Sequence, residues 1–498
     1  MRFVAAPGGL ADGVIDNHQR GGKPFPEKMS ITPHPSPFAG RIQIIGLGSI
    51  AQGVLPLLFR HLDIQPARVD IITADNEGVE VAAAFGLSVS ILPLNRQNLS
   101  EVLTPRLNAG DFLINLSVNV SSVELIALCR DLGALYIDAC IEPWEGVYTD
   151  ADLSPSARTN YALREQAKAL HRPGGPTAVL THGANPGWVS HFVKQALLDI
   201  ARDSGAPVAA PTERSGWARL AQSLGIKSIH IAERDWQVAT VHKKPGEFVN
   251  TWSVDGFVGE GCQPAELGWG SHERHFPLDG HRHGFGCEAA IYLNRPGAAT
   301  RVRSWTPLAG GQIAFLVTHG EAISIADYLT VGAGASPEYR PTVHYAYHPC
   351  DDAVMSLHEL TGREWRIQET KRIMRDEIAA GVDELGVLLM GHEKGSYWLG
   401  SRLSTDEARR LAPYNSATIL QVTAGVVAGV VWAVRNPAMG IVDPEQMPFD
   451  EMIELCRPYL GEIVGAWTDW TPIADRAEFF REDIDADDPW QFKNFRVG

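Results

Sequence analysis

The stretch RIQIIGLGSIAQGVLPLLFRHL, residues 41–62, constrains the fold of this chain more than any other. A short β-rich run passes through glycines into apolar residues at helical spacing, which predicts strand, turn and helix. Gly46 allows the tight turn, Gly48 lets a backbone approach a pyrophosphate, and Ala51 is the small residue that permits helix-to-strand packing. With Ser49 and Ile50 between them, these positions form a GxGxxA phosphate-binding fingerprint. A second strand, VDIITAD, ends in Asp75, 27 residues beyond Gly48. A carboxylate there binds a ribose 2′-hydroxyl, which favours NAD over NADP.

A glycine pattern of this kind also occurs in ordinary turns, so its surroundings decide. The alternation continues through FGLSVSILPL and GDFLINLSVNVSSVELIALCRDLGALYIDACIEPW, which reads as strand, helix, strand. Successive βα units of this kind build a parallel sheet. The tips NLSVNVSS and DACIEPWEG follow apolar strands and belong at the sheet's carboxyl edge, where cofactor and substrate bind. Ser117, Asp138 and Glu142 are therefore candidate site residues.

At 498 residues the chain is too long for a single core, and its pattern changes near residue 180. VLTHGANPGWVSHFVKQAL turns a strand through Asn185, Pro186 and Gly187 into a new helix. Between about 220 and 350, β-branched and aromatic runs broken by Gly and Pro predict a mostly antiparallel sheet. Helices are expected to return from PEYRPTVHYAYHPCDDAV onward. The expected fold class is α/β: a Rossmann-type parallel-sheet NAD domain plus a second α+β domain with a mostly antiparallel sheet. The expected divisions are a disordered tail at 1–39, or a mis-assigned start upstream of Met29, the NAD domain at 40–180, and a substrate and dimerisation domain at 181–414. C-terminal helices returning to the NAD domain, and a tail, fill 415–498.

Charge narrows the partners. The chain has 43 Lys plus Arg against 59 Asp plus Glu, a formal charge of -16, which disfavours nucleic acid and anionic membranes and suits a cationic substrate. Six scattered cysteines without a CxxC pair fit a reducing cytoplasm. The most apolar run, TILQVTAGVVAGVVWAV, contains Gln421 and two glycines and reads as a helix buried between domains.

Within the second half, acids recur in unusual company. KSIHIAERDWQ carries His230 and Glu233, FLVTHGEAISIADYL carries His319 and Glu321, and AGVDELGVLLMG carries Asp383 and Glu384. NTWSVDGFVGEG sets Trp252, Asp255 and Glu260 among glycines, a setting suited to an organic cation. Taken singly, each has a plainer reading: His230 a satisfied strand histidine, Asp383 and Glu384 turn residues, Trp252 a core aromatic. GSHERHFPLDGHRHGFGCE holds His272, His275, His281 and His283, but interleaved arginines and the absence of a structural-zinc spacing argue against a metal.

In combination, GLGSIAQGVLPLLFRH, DACIEPWEG, THGANPGWVSHF, HIAERDWQ, NTWSVDGFVGEG and THGEAISIADYL resemble the bacterial homospermidine synthases, within the saccharopine-dehydrogenase-like group. The resemblance runs from about Arg41 to beyond Gly440. It implies NAD-dependent transfer of a 4-aminobutyl group from putrescine, or spermidine, onto putrescine. The donor is oxidised to an imine, a second amine displaces ammonia or diaminopropane, and the same cofactor reduces the new Schiff base. It further implies that Trp252 faces the iminium, that Glu260 and Glu233 hold amino groups, and that His319 with Glu321 handles protons. Glu142 and Asn185 go to the substrate, Asn185 and Pro186 to the cofactor, and Asp383 to the distal amine. A cytoplasmic homodimer is the family expectation. A saccharopine- or carboxynorspermidine-type imine reductase is the first rival, and its α-carboxylate substrate calls for an arginine clamp such as Arg234 or Arg274. A non-catalytic NAD-binding sensor or scaffold is the second.

Overall fold

The computed structural model describes residues 35–476 and 478–498. The expected tail therefore lies outside the described residues except for 35–39. Those five are already part of the folded body: Ser36–Pro37 pairs in parallel with Leu62–Asp63, and Phe38 meets Phe112 edge-on at 6.4 Å.

Short runs of Ile, Val and Leu assemble the first sheet. Its strands are β1 (Ile42–Ile45), β2 (Val69–Thr73), β3 (Ser88–Ile91), β4 (Phe112–Asn115), β5 (Leu135–Asp138) and β6 (Ala178–Val179), with Ile441–Val442 added beyond β6. Every residue of β1, β4 and β5 is buried, which is why these strands read as continuous apolar runs instead of alternating ones. The order is β3-β2-β1-β4-β5-β6, and each pairing is parallel. Strand order reverses between β1 and β4, so a crevice opens at their carboxyl ends. Helix α1 (Ser49–His61) starts there, directly after the glycine turn.

Helix α2 (Trp188–Asp203) leads away from this sheet into an 11-stranded second sheet. At its centre β7 (Ser228–Asp235) pairs in parallel with β8 (Thr342–His348) and antiparallel with β9 (Val382–Met390). β10 (Ser396–Ser404) continues antiparallel from β9. Among the described strand pairs of this sheet, β7–β8 alone is parallel. The architecture is thus the expected α/β class with a Rossmann-type sheet and a mostly antiparallel partner. The second sheet extends further along the chain than the run to about 350 predicts. β9 and β10 follow, and Glu462–Thr468 pairs with β10. The segment after 415 therefore serves both bodies: Ile441–Val442 joins the first sheet and Glu462–Thr468 the second.

NTWSVDGFVGEG forms the end of a strand, Glu247–Asn250, and then helix α3 (Val254–Cys262), despite its glycines. Ser253 caps it by accepting the Gly256 N–H at 3.1 Å, and Asp255 sits in the first turn, where a negative charge is favoured. Glu321 opens helix α4 (Glu321–Tyr328). The apolar helix α5 (Ala417–Arg435) is long and apolar enough to cross a membrane, yet 89% of its 18-residue apolar window is buried inside the protein. It packs between α1 and the second sheet. Gly425 permits the close approach, since a Cβ there would stand 1.8 Å from the Gly183 carbonyl oxygen.

Candidate active site

A cavity of about 730 Å³ lies where the carboxyl edge of the first sheet meets the second domain. The first sheet and its loops contribute Gly46, Gly48, Ser49, Ile50, Asp75, Ser117 and Glu142 to its wall. Asn185 and Pro186 come from the crossing segment, and Glu233, Trp252, Glu260 and His319 from the second domain. Residues scattered from 46 to 319 thus face one volume.

The glycine turn fits a dinucleotide phosphate. Gly46 has φ +89°, and a Cβ there would lie 2.8 Å from the Leu116 carbonyl oxygen and the Ser117 nitrogen. A Cβ on Gly48 would meet nothing within 4 Å, so open space lies beside the backbone. The Ser49 hydroxyl is buried with no hydrogen-bond partner, at the N-terminus of a 13-residue helix that has no side-chain cap. An orphaned donor beside uncapped backbone N–H groups is the arrangement that binds an anion. Ala51 is fully buried in α1 and packs, as its small size predicts, without lining the cavity. Asp75 is exposed at the wall, its Oδ1 accepting the Glu77 N–H at 2.9 Å. Ser117 donates to Asn115 Oδ1 at 2.6 Å.

The other part of the cavity is acidic. Glu233, on β7, accepts hydrogen bonds on Oε2 from the Tyr345 hydroxyl at 2.5 Å and Asn185 Nδ2 at 3.2 Å. Burial lifts its carboxyl to about 8; the Tyr345 hydrogen bond works against this and the Asp235 charge reinforces it. Glu142 also stands at about 8, through burial and the Glu260 charge, with the Asn119 N–H opposing. Glu260, on α3, holds His319 Nε2 at 2.9 Å and accepts from Cys140 Sγ at 3.6 Å. His319 Nδ1 lies 3.4 Å from Glu321 Oε1. Burial alone would depress the imidazolium, but the Glu260 and Glu321 carboxylates outweigh it and hold His319 up at about 10. Trp252 is half-buried, lines the cavity, and is fixed by its Nε1 donating to the Tyr347 hydroxyl at 3.2 Å.

Three expected site residues stand behind the wall. Glu321 is fully buried and reaches the cavity through His319. Asp383 is fully buried on β9, opposite Asp235 of β7, and accepts from the Thr418 hydroxyl at 2.5 Å. Thr418 itself lines the cavity. Burial and the Glu233 and Asp235 charges push the Asp383 carboxyl well above the carboxylate range. Asp138 is not a cavity residue. Its two oxygens accept from the Thr181 N–H at 2.6 Å and the Tyr136 hydroxyl at 2.8 Å, which ties β5 to the following crossing segment.

The remaining expectations resolve individually. Glu384 pairs with Arg402 Nε at 3.0 Å, and His230 is buried with Nδ1 3.0 Å from Ser304 Oγ. Arg234 pairs with Asp351 and covers the Trp236 ring at 4.3 Å, while Arg274 pairs with Asp485. Neither arginine lines the cavity. His275 binds Asp485, His281 stacks on Tyr292 and His283 stacks on Tyr161 at 3.8 Å. Among the described residues, no cluster of three or more His, Cys, Asp or Glu could hold a metal. Sequence reasoning missed Cys140 and Tyr345; the alternation in TVHYAYH, a strand signal, was the available clue to Tyr345.

Two family models match: the saccharopine dehydrogenase NADP binding domain over residues 42–179 and the saccharopine dehydrogenase C-terminal domain over 183–468. The chain is 53% identical over 464 residues to homospermidine synthase of Blastochloris viridis, covering 92% of this chain and 97% of that one. It is 49% identical over 467 residues to homospermidine synthase of Mesorhizobium japonicum, covering 92% and 96%. A crystal structure of the homospermidine synthase of Legionella pneumophila in complex with NAD superimposes with a TM-score of 0.87 at 49% identity, covering 93% of this chain and 99% of that one.

Proposed function

The chain belongs to the homospermidine synthase family, and from that premise we propose that it moves a 4-aminobutyl group from putrescine, or spermidine, onto putrescine, giving homospermidine. The observation that carries this reading is one cavity holding both a phosphate-binding turn and an acid cluster facing an aromatic ring. Bound NAD would accept hydride from the amine-bearing carbon and later return it to the exchanged imine, so that net redox is zero.

The residues must supply proton handling, charge and exclusion of water. An alkylammonium resembling lysine has a pKa of about 10.4 and neither gives up hydride nor attacks an imine until it is deprotonated. Glu233 takes that proton, its carboxylate oriented by the Tyr345 and Asn185 hydrogen bonds to Oε2. Glu142 and Glu260 orient the amino groups from the facing wall, and the Trp252 ring stabilises the iminium by about 0.5–2 kcal/mol. His319, an imidazolium at neutral pH, delivers a proton through Nε2 and Glu260 Oε2 to the leaving ammonia or diaminopropane. Glu321 holds that charge on His319 from behind. Asp383 acts on the distal ammonium through Thr418, whose hydroxyl it holds.

We assign the glycine turn, Ser49 and Asp75 to NAD, with Asn185 and Pro186 at its nicotinamide end and Ser117 beside it. The reading extends to a homodimer in the cytoplasm; the six free cysteines suit a reducing compartment. Incubation with NAD+ and putrescine tests the function. Homospermidine and ammonia without net NADH are expected, whereas stoichiometric NADH without a triamine would mean an ordinary amine dehydrogenase. Sedimentation velocity tests the dimer, with a monomer as the contrary result.

A further inference from the structure

The lysine and arginine side chains that line the cavity, Lys371, Arg372 and Arg375, all come from one stretch of the second domain. Arg375 reaches across to the nucleotide domain. It ion-pairs with the Glu77 carboxylate and donates from Nη1 to Gln52 Oε1 at 2.9 Å. Gln52 is buried in α1 and donates from Nε2 to the Leu47 carbonyl, inside the glycine turn, at 2.9 Å. Glu77 is in turn tied to Asp75 through its own N–H. Asp75, Glu77 and Arg375 therefore meet at one part of the wall, where a ribose held by Asp75 would sit. The Arg375–Glu77 pair is 42% and 43% exposed, so it adds little to stability by itself.

In dinucleotide-binding folds an acid at this strand end selects the 2′-hydroxyl, and an arginine nearby accommodates a 2′-phosphate. This chain carries both elements, but its arginine arrives from the other domain and meets a carboxylate. We propose that Glu77 is a cofactor-specificity gate: it masks Arg375, so that an NADP 2′-phosphate meets two carboxylates and no free cation. The inference rests on the NAD reading above and adds the residue that enforces it. Removing the Glu77 charge frees the guanidinium while Gln52 still anchors it, and a planar guanidinium pairs strongly with phosphate.

The test is equilibrium binding of NAD+ and of NADP+ to the full chain, followed by calorimetry, for wild type, Glu77→Gln and Glu77→Gln/Arg375→Gln. Glu77→Gln is expected to tighten NADP+ relative to NAD+ by at least about tenfold, a gain of charge-assisted pairing. The double variant is expected to lose that gain. If wild type binds NAD+ and Glu77→Gln changes the ratio by less than about twofold, or if the double variant keeps the gain, the gate is overturned. Wild type that fails to bind NAD+ would overturn the cofactor reading and the gate together, a result distinct from failure of the gate alone.

Discussion

Diamine binding is predicted to expel protons below about pH 8. Burial and the Glu260 charge lift Glu142 to about 8, and burial with the Asp235 charge lifts Glu233 to about 8 against its Tyr345 hydrogen bond. Both carboxyls hold protons at neutral pH in the empty cavity, and a diammonium ligand favours their ionised forms. Each proton released makes affinity rise tenfold per pH unit, about 1.4 kcal/mol, so two give about 2.7 kcal/mol per unit. The dependence ends near pH 8, where the acids ionise unaided, and reverses near about 10.4, where the amines lose charge. Stability of the empty protein runs the opposite way. Folded pKa values raised above the ordinary glutamate value of 4.5 mean that their contribution is fully present below 4.5 and is lost as pH rises toward 8. Calorimetry of putrescine binding to the NAD-loaded protein, at about pH 6.5 in two buffers of different ionisation enthalpy, reads the protons directly. Close to two are expected for wild type and about one for Glu233→Gln. No proton release, with an affinity flat between about pH 6 and 8, would refute the reasoning.

Other expectations follow from the same geometry. Trp252→Ala should lower turnover by up to about 30-fold for the lost π-face, with NAD+ affinity intact, while Trp252→Phe keeps part of the activity; equal loss of NAD+ binding would make Trp252 a packing residue. Glu321→Gln removes one of two carboxylates that hold His319 at about 10, so its titration should fall, as histidine NMR would show. In the native protein that raised imidazolium contributes stability fully present below 6.5 and lost as pH rises to about 10, so the variant should be less stable at neutral pH. Its titration staying at its native value would contradict the pairing. Gly425→Ala places a methyl 1.8 Å from the Gly183 oxygen and should destabilise by about 3 kcal/mol in denaturant unfolding; an unchanged midpoint would contradict the helix–loop contact.

Much of the fold was legible because local and tertiary signals agreed. The run from Arg41 specified strand, turn and helix, and fully buried parallel strands must read as unbroken apolar stretches. Signals failed where tertiary context overrode local propensity. NTWSVDGFVGEG is glycine-rich yet helical, because Ser253 caps it and packing holds it. β9 and β10 lay beyond the expected sheet, and an apolar run without clear alternation does not separate a buried strand from a buried helix. Within the site, residue types were legible but depth was not. Asp383 and Asp138 carry the right chemistry, yet neither side chain lines the cavity, since one is turned toward Thr418 and the other toward Thr181 and Tyr136. Arg375 was invisible in sequence because its meaning lies in Glu77 and Gln52, 298 and 323 residues away.

The claim at the centre of this account is that one cofactor molecule takes hydride from the donor and returns it to the product within a single cavity. Putrescine deuterated at both amine-bearing carbons, turned over with bound NAD in the presence of excess unlabelled NADH, tests it directly by mass spectrometry. Homospermidine that keeps every deuterium at the transferred carbon is the predicted result. Homospermidine that loses one deuterium there to the free cofactor pool would contradict it.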